Sequence, residues 1–169
     1  GIIFACIAAY FYLKKHQIPV LPFADTVTPG IILGQAIGRI ANFMNGDAFG
    51  HPTGQDFGLL YPDTTLAYHT YGAQPLWPAE VWECQGDLLI FVLLLWYGCK
   101  TRAEGTTFCL YIMFYSLLRF FLENYRGDYG TLALGLKSAQ LTSLAAFAGA
   151  FILFLYFHFK HKSKSGISE

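Results

Sequence analysis

LLIFVLLLWYG, residues Leu88 to Gly98, is the stretch that decides the fold. It is the core of a mostly apolar segment running from about Pro78 to Cys99. A membrane-spanning helix needs about 20 largely apolar residues. Working outward, similar segments run from about Phe23 to Met44, Thr106 to Leu122 and Leu136 to Phe159. A shorter one, Gly1 to Leu13, is stopped by Lys14, Lys15 and His16, and the chain is expected to open inside a hydrophobic segment. Apolar runs of this length do not suit soluble strands or amphipathic helices. The expected fold class is all-α: a polytopic transmembrane helical protein with about four full spans and one truncated N-terminal span. Composition agrees. Of 169 residues, 54% are hydrophobic, 18% aromatic and only 13% charged, against about 25% charged in soluble domains. The mean hydropathy is +0.41. Disorder is excluded by the aromatic content. Eleven basic and eleven acidic residues cancel, which argues against a nucleic-acid partner.

Sorting the charges by segment gives an orientation. Lys14, Lys15, Lys100, Arg102, Lys160, Lys162 and Lys164 fall on one side of alternating spans, and the positive-inside rule makes that side cytoplasmic. Residues 1–160 then form a single membrane-embedded unit, and residues 161–169 a basic cytoplasmic tail. The opposite side receives the stretch from about Gly46 to Trp77, rich in Gly, Pro, Asp, Thr and Tyr, and the Asn124–Gly135 loop. Asp56, Asp63 and Asp128 there have only Arg126 as a basic counterpart. The aromatics Tyr61, Tyr68, Tyr71, Trp77 and Trp82 suit an interfacial belt.

Three polar faces interrupt the spans. Gln35, Arg39, Asn42 and Asn45 recur at helical spacing, expected opposite Ile32, Ile37, Ile40 and Phe43. Gly46 follows Asn45 as a helix terminator, with Asp47 just beyond. Glu80, Glu83 and Asp87 share one face of their helix, and Arg119, Glu123 and Arg126 share another. All three sets sit at the extracytoplasmic ends of their spans. A charge inside the bilayer costs about 2.5–3.5 kcal/mol on insertion scales, so such residues are usually paired and functional. Arginine grips phosphate through a planar fork and keeps its charge in apolar surroundings. Arginines beside the outer leaflet therefore suit a phospholipid headgroup. Asn amides suit glycerol hydroxyls or ester carbonyls, and carboxylates can orient arginines or relay protons. Structural interhelical ion pairs are the alternative for each charge taken singly.

GRIANFMNGDAFGHPTG, Gly38 to Gly54, resembles the GRxxNFxNxExxG signature of the prolipoprotein diacylglyceryl transferase family. WPAEVWE, Trp77 to Glu83, is similar to the family's HPxxLYE element, and LRFFLENYRGD, Leu118 to Asp128, to its Arg-x-x-x-Glu-x-x-Arg segment. The resemblance runs from Gly1 to about Lys160. It implies a multi-pass enzyme of the bacterial inner membrane, with its active site towards the extracytoplasmic side and no cofactor or metal. The implied reaction moves diacylglyceryl from phosphatidylglycerol to the lipobox cysteine thiol of a prolipoprotein signal peptide, releasing glycerol phosphate. The implied catalytic residues are Arg39, Arg119, Glu123 and Asp47. The implied substrate-binding residues are Arg39, Asn42, Asn45, Gly46, Glu83 and Arg126. Phosphatidylglycerol, the prolipoprotein and membrane lipids are the implied partners.

The sequence departs from the pattern in places. Asp47 stands for Glu, Trp77 for His, Trp82 for Tyr, and Glu80 for a usually uncharged residue. The family's His-Gly-Gly motif, whose histidine is implicated in catalysis, is not within the chain; two or three further helices are expected upstream of Gly1. The thiol-activating group is not identifiable among these residues. His51 is the better base candidate of the two outer-loop histidines, with His69 second, and solvated loop residues are the simpler reading of both. Cys6, Cys84, Cys99 and Cys109 lack metal or redox spacing and read as buried free thiols. Two rival classes stay open from sequence: a transporter or channel subunit, and an inactive lipid-binding homologue or fragment.

Overall fold

The computed structural model describes residues 1–100, 103–127 and 136–165, apart from the side chains of Ile2 and residues 163–165. Six helices follow one another: α1 (Ile2–Lys15), α2 (Val20–Asn45), α3 (Leu66–Tyr71), α4 (Ala79–Gly98), α5 (Thr106–Leu122) and α6 (Ser138–Ser165). No strand occurs among the described residues, only isolated bridges. The all-helical class is therefore observed. Two helices, α2 and α6, are long and apolar enough to cross a membrane, and α5 is a shorter apolar helix.

Local chemistry sets the helix ends. Pro19 precedes α2 in extended geometry, a position where proline's fixed φ and missing N–H cost nothing. At the other end Gly46 has φ +68°, and the Asp47 N–H donates to the Asn42 carbonyl at 2.9 Å. This is a left-handed glycine stop. A Cβ at position 46 would also meet Thr65 Cβ at 2.5 Å, so glycine is required twice over. The six-residue α3 was not foreseen; Thr65 caps it, accepting from the Tyr68 N–H.

Helix α2 packs on α4, α4 on α5, and α5 on α6; α2 also touches α5, whereas α1 makes few contacts. Ile32, Ile90 and Leu94 form the core between α2 and α4, with Leu110, Phe114 and Leu118 of α5 packed on it. Gly86 lets α4 and α5 approach closely. A second small core, Phe49, Ala67 and Leu76, organises the segment between α2 and α4.

Burial is inverted relative to a soluble protein. Glu80, Glu83, Asp87 and Glu123 are at most 1% exposed, while Phe4, Ile37, Trp96, Ile152 and many other large apolar residues face outward. Apolar surroundings reward that arrangement, because charges then find partners only inside the bundle.

Several expectations are corrected. Ile32 is fully buried and does not lie opposite the polar face; it precedes Ala36 and Arg39 by four and seven residues, which is the same side of the helix. Ile37, Ile40 and Phe43 do face outward. All four cysteines are free, but only Cys109 is buried; Cys84 is half-buried, and Cys6 and Cys99 are exposed. The start of the expected tail, residues 161–165, continues α6. Arg102, Asp128 and the side chain of Lys164 lie outside the described residues.

Candidate functional site

The C-terminal ends of α2 and α5 and the N-terminal end of α4 meet at one end of the bundle, and their polar faces meet with them. Glu83 is the hub. Its Oε1 lies 2.8 Å from Arg39 Nη2. Its Oε2 lies 3.3 Å from Arg119 Nη1 and 3.7 Å from Arg126 Nη1. The Tyr115 hydroxyl donates to Oε1 at 3.3 Å. Arg119 reaches back through Nη2 to Glu123 Oε2 at 3.0 Å, one helical turn away. One carboxylate thus gathers three guanidinium groups from two separate sequence segments.

Exposure grades across this cluster. Glu83, Glu123 and Arg126 are buried, whereas the Arg39 and Arg119 side chains retain 20% and 16% exposure. Arg39 and Arg119 are therefore the cations an approaching anion meets. A cleft of about 310 Å³ opens beside Arg119 between α5 and α6, lined by Tyr111, Tyr115, Ser116, Thr142, Ser143 and small α6 residues. Alanines 139 and 146 leave that space. The cleft joins a cationic end to an aromatic and hydroxyl-bearing wall.

The other anticipated residues fall around this centre. Glu80 is buried and accepts a hydrogen bond from the Tyr61 hydroxyl. Asp87 is buried one turn further along α4, with neither carboxylate oxygen hydrogen-bonded among the described residues. Asn42 is half-buried and Asn45 exposed. Their side chains and that of half-buried Asp47 make no hydrogen bond or ion pair to the cluster among the described residues. Gly46 supplies the turn that ends α2. His51 is half-buried, its Nδ1 2.9 Å from the Pro52 carbonyl, and His69 is exposed.

The segment after α2 fixes the end of α5. Gly50 bridges to Arg126, and Pro52 and Leu59 bridge to Leu76. The His51 N–H donates to the Tyr125 carbonyl, and the Gly127 N–H to that of Phe49. A Cβ on Gly50 would sit 2.2 Å from the Trp77 carbonyl oxygen, so the last glycine of the GRxxNFxNxExxG pattern is a packing requirement. Tyr71 donates to the Gly127 carbonyl at 2.8 Å. Tyr61 and Tyr71 thus serve the interior of this segment, not an interfacial belt. Trp77, Trp82 and Tyr125 form a mutual ring cluster with centroids 5.2–5.6 Å apart.

Sequence reasoning missed four participants. Tyr115 touches the hub, and Tyr111 donates to Gln35 at 2.9 Å; their spacing of four and eight residues before Arg119 carried the signal. Lys137 Nζ donates to the Glu123 and Arg126 carbonyls at 2.7 and 2.6 Å. Asp25 is buried in α2 and accepts from backbone N–H groups at the start of α5.

A helical bundle that buries its charges, shows its apolar side chains and gathers arginines on one carboxylate is a membrane protein with a cationic polar site. The chain belongs to the prolipoprotein diacylglyceryl transferase family, whose sequence profile matches residues 1–156. It is 37% identical over 170 residues to a Clostridioides difficile protein named phosphatidylglycerol–prolipoprotein diacylglyceryl transferase, an alignment covering all of this chain and 63% of that one. A Corynebacterium efficiens protein of the same name is 34% identical over 92% of this chain and 52% of its own length. One from Clostridium perfringens, named as the second such transferase, is 33% identical over 90% and 58%. The chain therefore spans between half and two-thirds of the length of these relatives.

Proposed function

We propose that the chain supplies the membrane-embedded catalytic part of an enzyme transferring diacylglyceryl from phosphatidylglycerol to the lipobox cysteine of a prolipoprotein. In this reading α2, α4, α5 and α6 are full spans of the bacterial inner membrane, α1 is part of a further span, and residues 1–160 form one unit. Residues 161–165, the end of α6, lie on the cytoplasmic side with the residues that follow them. The basic residues at the α1 and α6 C-termini face the cytoplasm, so the arginine cluster lies near the outer leaflet.

The reaction forms a C–S bond between the thiol and the glycerol carbon carrying the phosphate ester. The C–O bond to phosphate breaks, and glycerol phosphate leaves with the bonding pair while the thiol gives up its proton. Negative charge grows on the leaving phosphate, and fixed guanidinium groups in water-poor surroundings stabilise such charge strongly. Arg39 and Arg119 take that role. Glu83 and Glu123 hold the two forks in place, and Arg126 adds positive charge behind them. Asn42, Asn45, Gly46 and Asp47 form the side of the site that receives the glycerol headgroup. The cleft beside Arg119 admits an acyl chain from the bilayer.

The observation that carries the reading is that Glu83 brings Arg39 and Arg119 together from opposite ends of the motif-bearing sequence. The test is transfer of radiolabelled diacylglyceryl to a lipobox peptide by the full-length protein in lipid vesicles. Arg39→Ala and Arg119→Ala should each abolish transfer. Unchanged transfer in either variant overturns the roles assigned.

A further inference from the structure

Helices α2 and α5 run parallel and are joined at both of their ends. At the site end Glu83 of α4 bridges Arg39 and Arg119. At the other end Asp25 makes the connection, and between the two ends Tyr111 of α5 donates to Gln35 of α2. Asp25 Oδ2 accepts from the Gly105 N–H at 2.8 Å, and Oδ1 accepts from the Phe108 N–H at 2.9 Å. Helix α5 has no side-chain cap of its own; Gly105 stands at its N-cap with φ +85°. Asp25 thus caps a neighbouring helix, its charge placed at the positive end of the α5 dipole. Asp25 is 6% exposed, so water does not substitute for these two bonds.

The register is the informative part. Asp25 precedes Arg39 by fourteen residues, and Gly105 precedes Arg119 by fourteen residues. At 1.5 Å per residue both arms measure about 21 Å. Measured from Phe108, the second residue that Asp25 holds, the α5 arm is eleven residues, so the two bonds fix the first turn of α5 against α2 and through it bear on the axial level of Arg119. Without the Asp25 bonds, α5 is held against α2 by core packing and the Tyr111–Gln35 hydrogen bond at 2.9 Å, and the level of Arg119 against Arg39 is less firmly set. Neighbouring bonds reinforce the level: Tyr97 of α4 donates to Thr106 Oγ1 at 3.2 Å, and Thr106 Oγ1 donates to the Ala103 carbonyl at 2.6 Å.

We propose that Asp25 is a positioning residue that sets the spacing of Arg39 and Arg119 from the far end of their helices. The proposal rests on the reading that the two arginines grip one phosphate together. It assigns Asp25 no contact with substrate.

The experiment is a double-mutant cycle on binding of short-chain phosphatidylglycerol to the full-length protein in detergent, followed by calorimetry. Asp25→Ala should weaken binding about tenfold in the otherwise unaltered protein, less than the roughly hundredfold in rate that a full 1 Å misplacement costs, because packing and the Tyr111–Gln35 hydrogen bond still hold α5. In an Arg119→Ala background no arginine pair remains to be spaced, and Asp25→Ala should then change affinity by less than about twofold. Equal weakening in both backgrounds, or none in the unaltered protein, overturns the proposal. Should Asp25→Ala fail to fold, Asp25→Asn, which keeps the shape and one acceptor oxygen, is read in the same cycle. The underlying reading fails separately, if Arg39→Ala and Arg119→Ala themselves leave binding unchanged.

Discussion

Glu83→Gln is the substitution that tests the hub most directly. It keeps the side-chain shape and one acceptor oxygen while removing the charge shared by Arg39, Arg119 and Arg126. Deleting one side of a buried ion pair costs about 3–5 kcal/mol, because an uncompensated charge stays behind. Arg39 and Arg119 retain 20% and 16% exposure, so water recovers part of that loss, and the low end, about 3 kcal/mol, is expected. Arg126 is buried and recovers least. The effect on transfer should be larger still. Without Glu83 the two part-buried guanidinium groups repel, and a displacement near 1 Å at a reacting group costs on the order of a hundredfold in rate. Glu83→Asp, which keeps the charge on a shorter stem, should fall between Gln and the parent.

The stability arm is read by thermal unfolding of the full-length protein in detergent, and the rate arm by transfer to a lipobox peptide in vesicles. A Glu83→Gln protein that unfolds at the parent temperature and transfers within about threefold of the parent rate refutes the hub. A protein that is destabilised yet transfers normally assigns Glu83 to structure alone, and removes it from the positioning of the arginines.

Four further outcomes follow from the geometry. Gly50→Ala should destabilise by about 3 kcal/mol, because its Cβ meets a backbone oxygen at 2.2 Å that cannot rotate away. Gly86→Ala meets only the flexible end of Leu118 and should cost about 1 kcal/mol; equal losses on unfolding would contradict both assignments. Lys137→Met removes two hydrogen bonds to the carbonyls of Glu123 and Arg126, a loss of about 2 kcal/mol. Amide exchange of residues 123–127 should then quicken, and unchanged exchange would refute the anchoring role. Asp87→Leu removes a buried carboxylate without hydrogen-bond partners among the described residues and should stabilise by about 1–3 kcal/mol; a lower unfolding temperature would show that Asp87 has a partner.

The helices were legible in the sequence because long apolar runs such as LLIFVLLLWYG and the α6 segment have few other uses than a helix, and α2 and α6 are the two among the described residues long and apolar enough to cross a membrane. The short α3 was not legible. Its six residues depend on Thr65 as a cap and on the Ala67 N–H donating to the Gly46 carbonyl, a contact between residues 21 apart in the chain. Periodicity placed Glu80, Glu83 and Asp87 on one face, and all three are buried. Which of the three takes the arginines depends on how α2 and α5 sit against α4, and spacing within one helix carries no such information. Ile32 was misplaced by judging a face from its polar members alone. Asp25 offered a fair signal, a lone carboxylate at the start of an apolar run. Its partners, however, are backbone N–H groups about 80 residues away, which leave no side-chain signature.

The way the arginines are engaged orders how an anion enters the site. Among the described residues Arg39 is held in ion pairing through Nη2 alone, at 2.8 Å from Glu83. Arg119 has both terminal nitrogens engaged, Nη1 with Glu83 at 3.3 Å and Nη2 with Glu123 at 3.0 Å. In the proposed function an incoming phosphate meets Arg39 first, since part of that fork is uncommitted to carboxylate. Arg119 joins by exchanging its longer contact, the one to Glu83, while the contact to Glu123 within the same helix keeps its direction. Glu83 then stays bound to Arg39 and near Arg126, so no buried carboxylate is stranded as the phosphate enters. Two carboxylates are needed for this: one that releases a guanidinium and one that continues to aim it. Glu83 alone spans both arginines, and Glu123 gives Arg119 a second contact that persists when the one to Glu83 is exchanged.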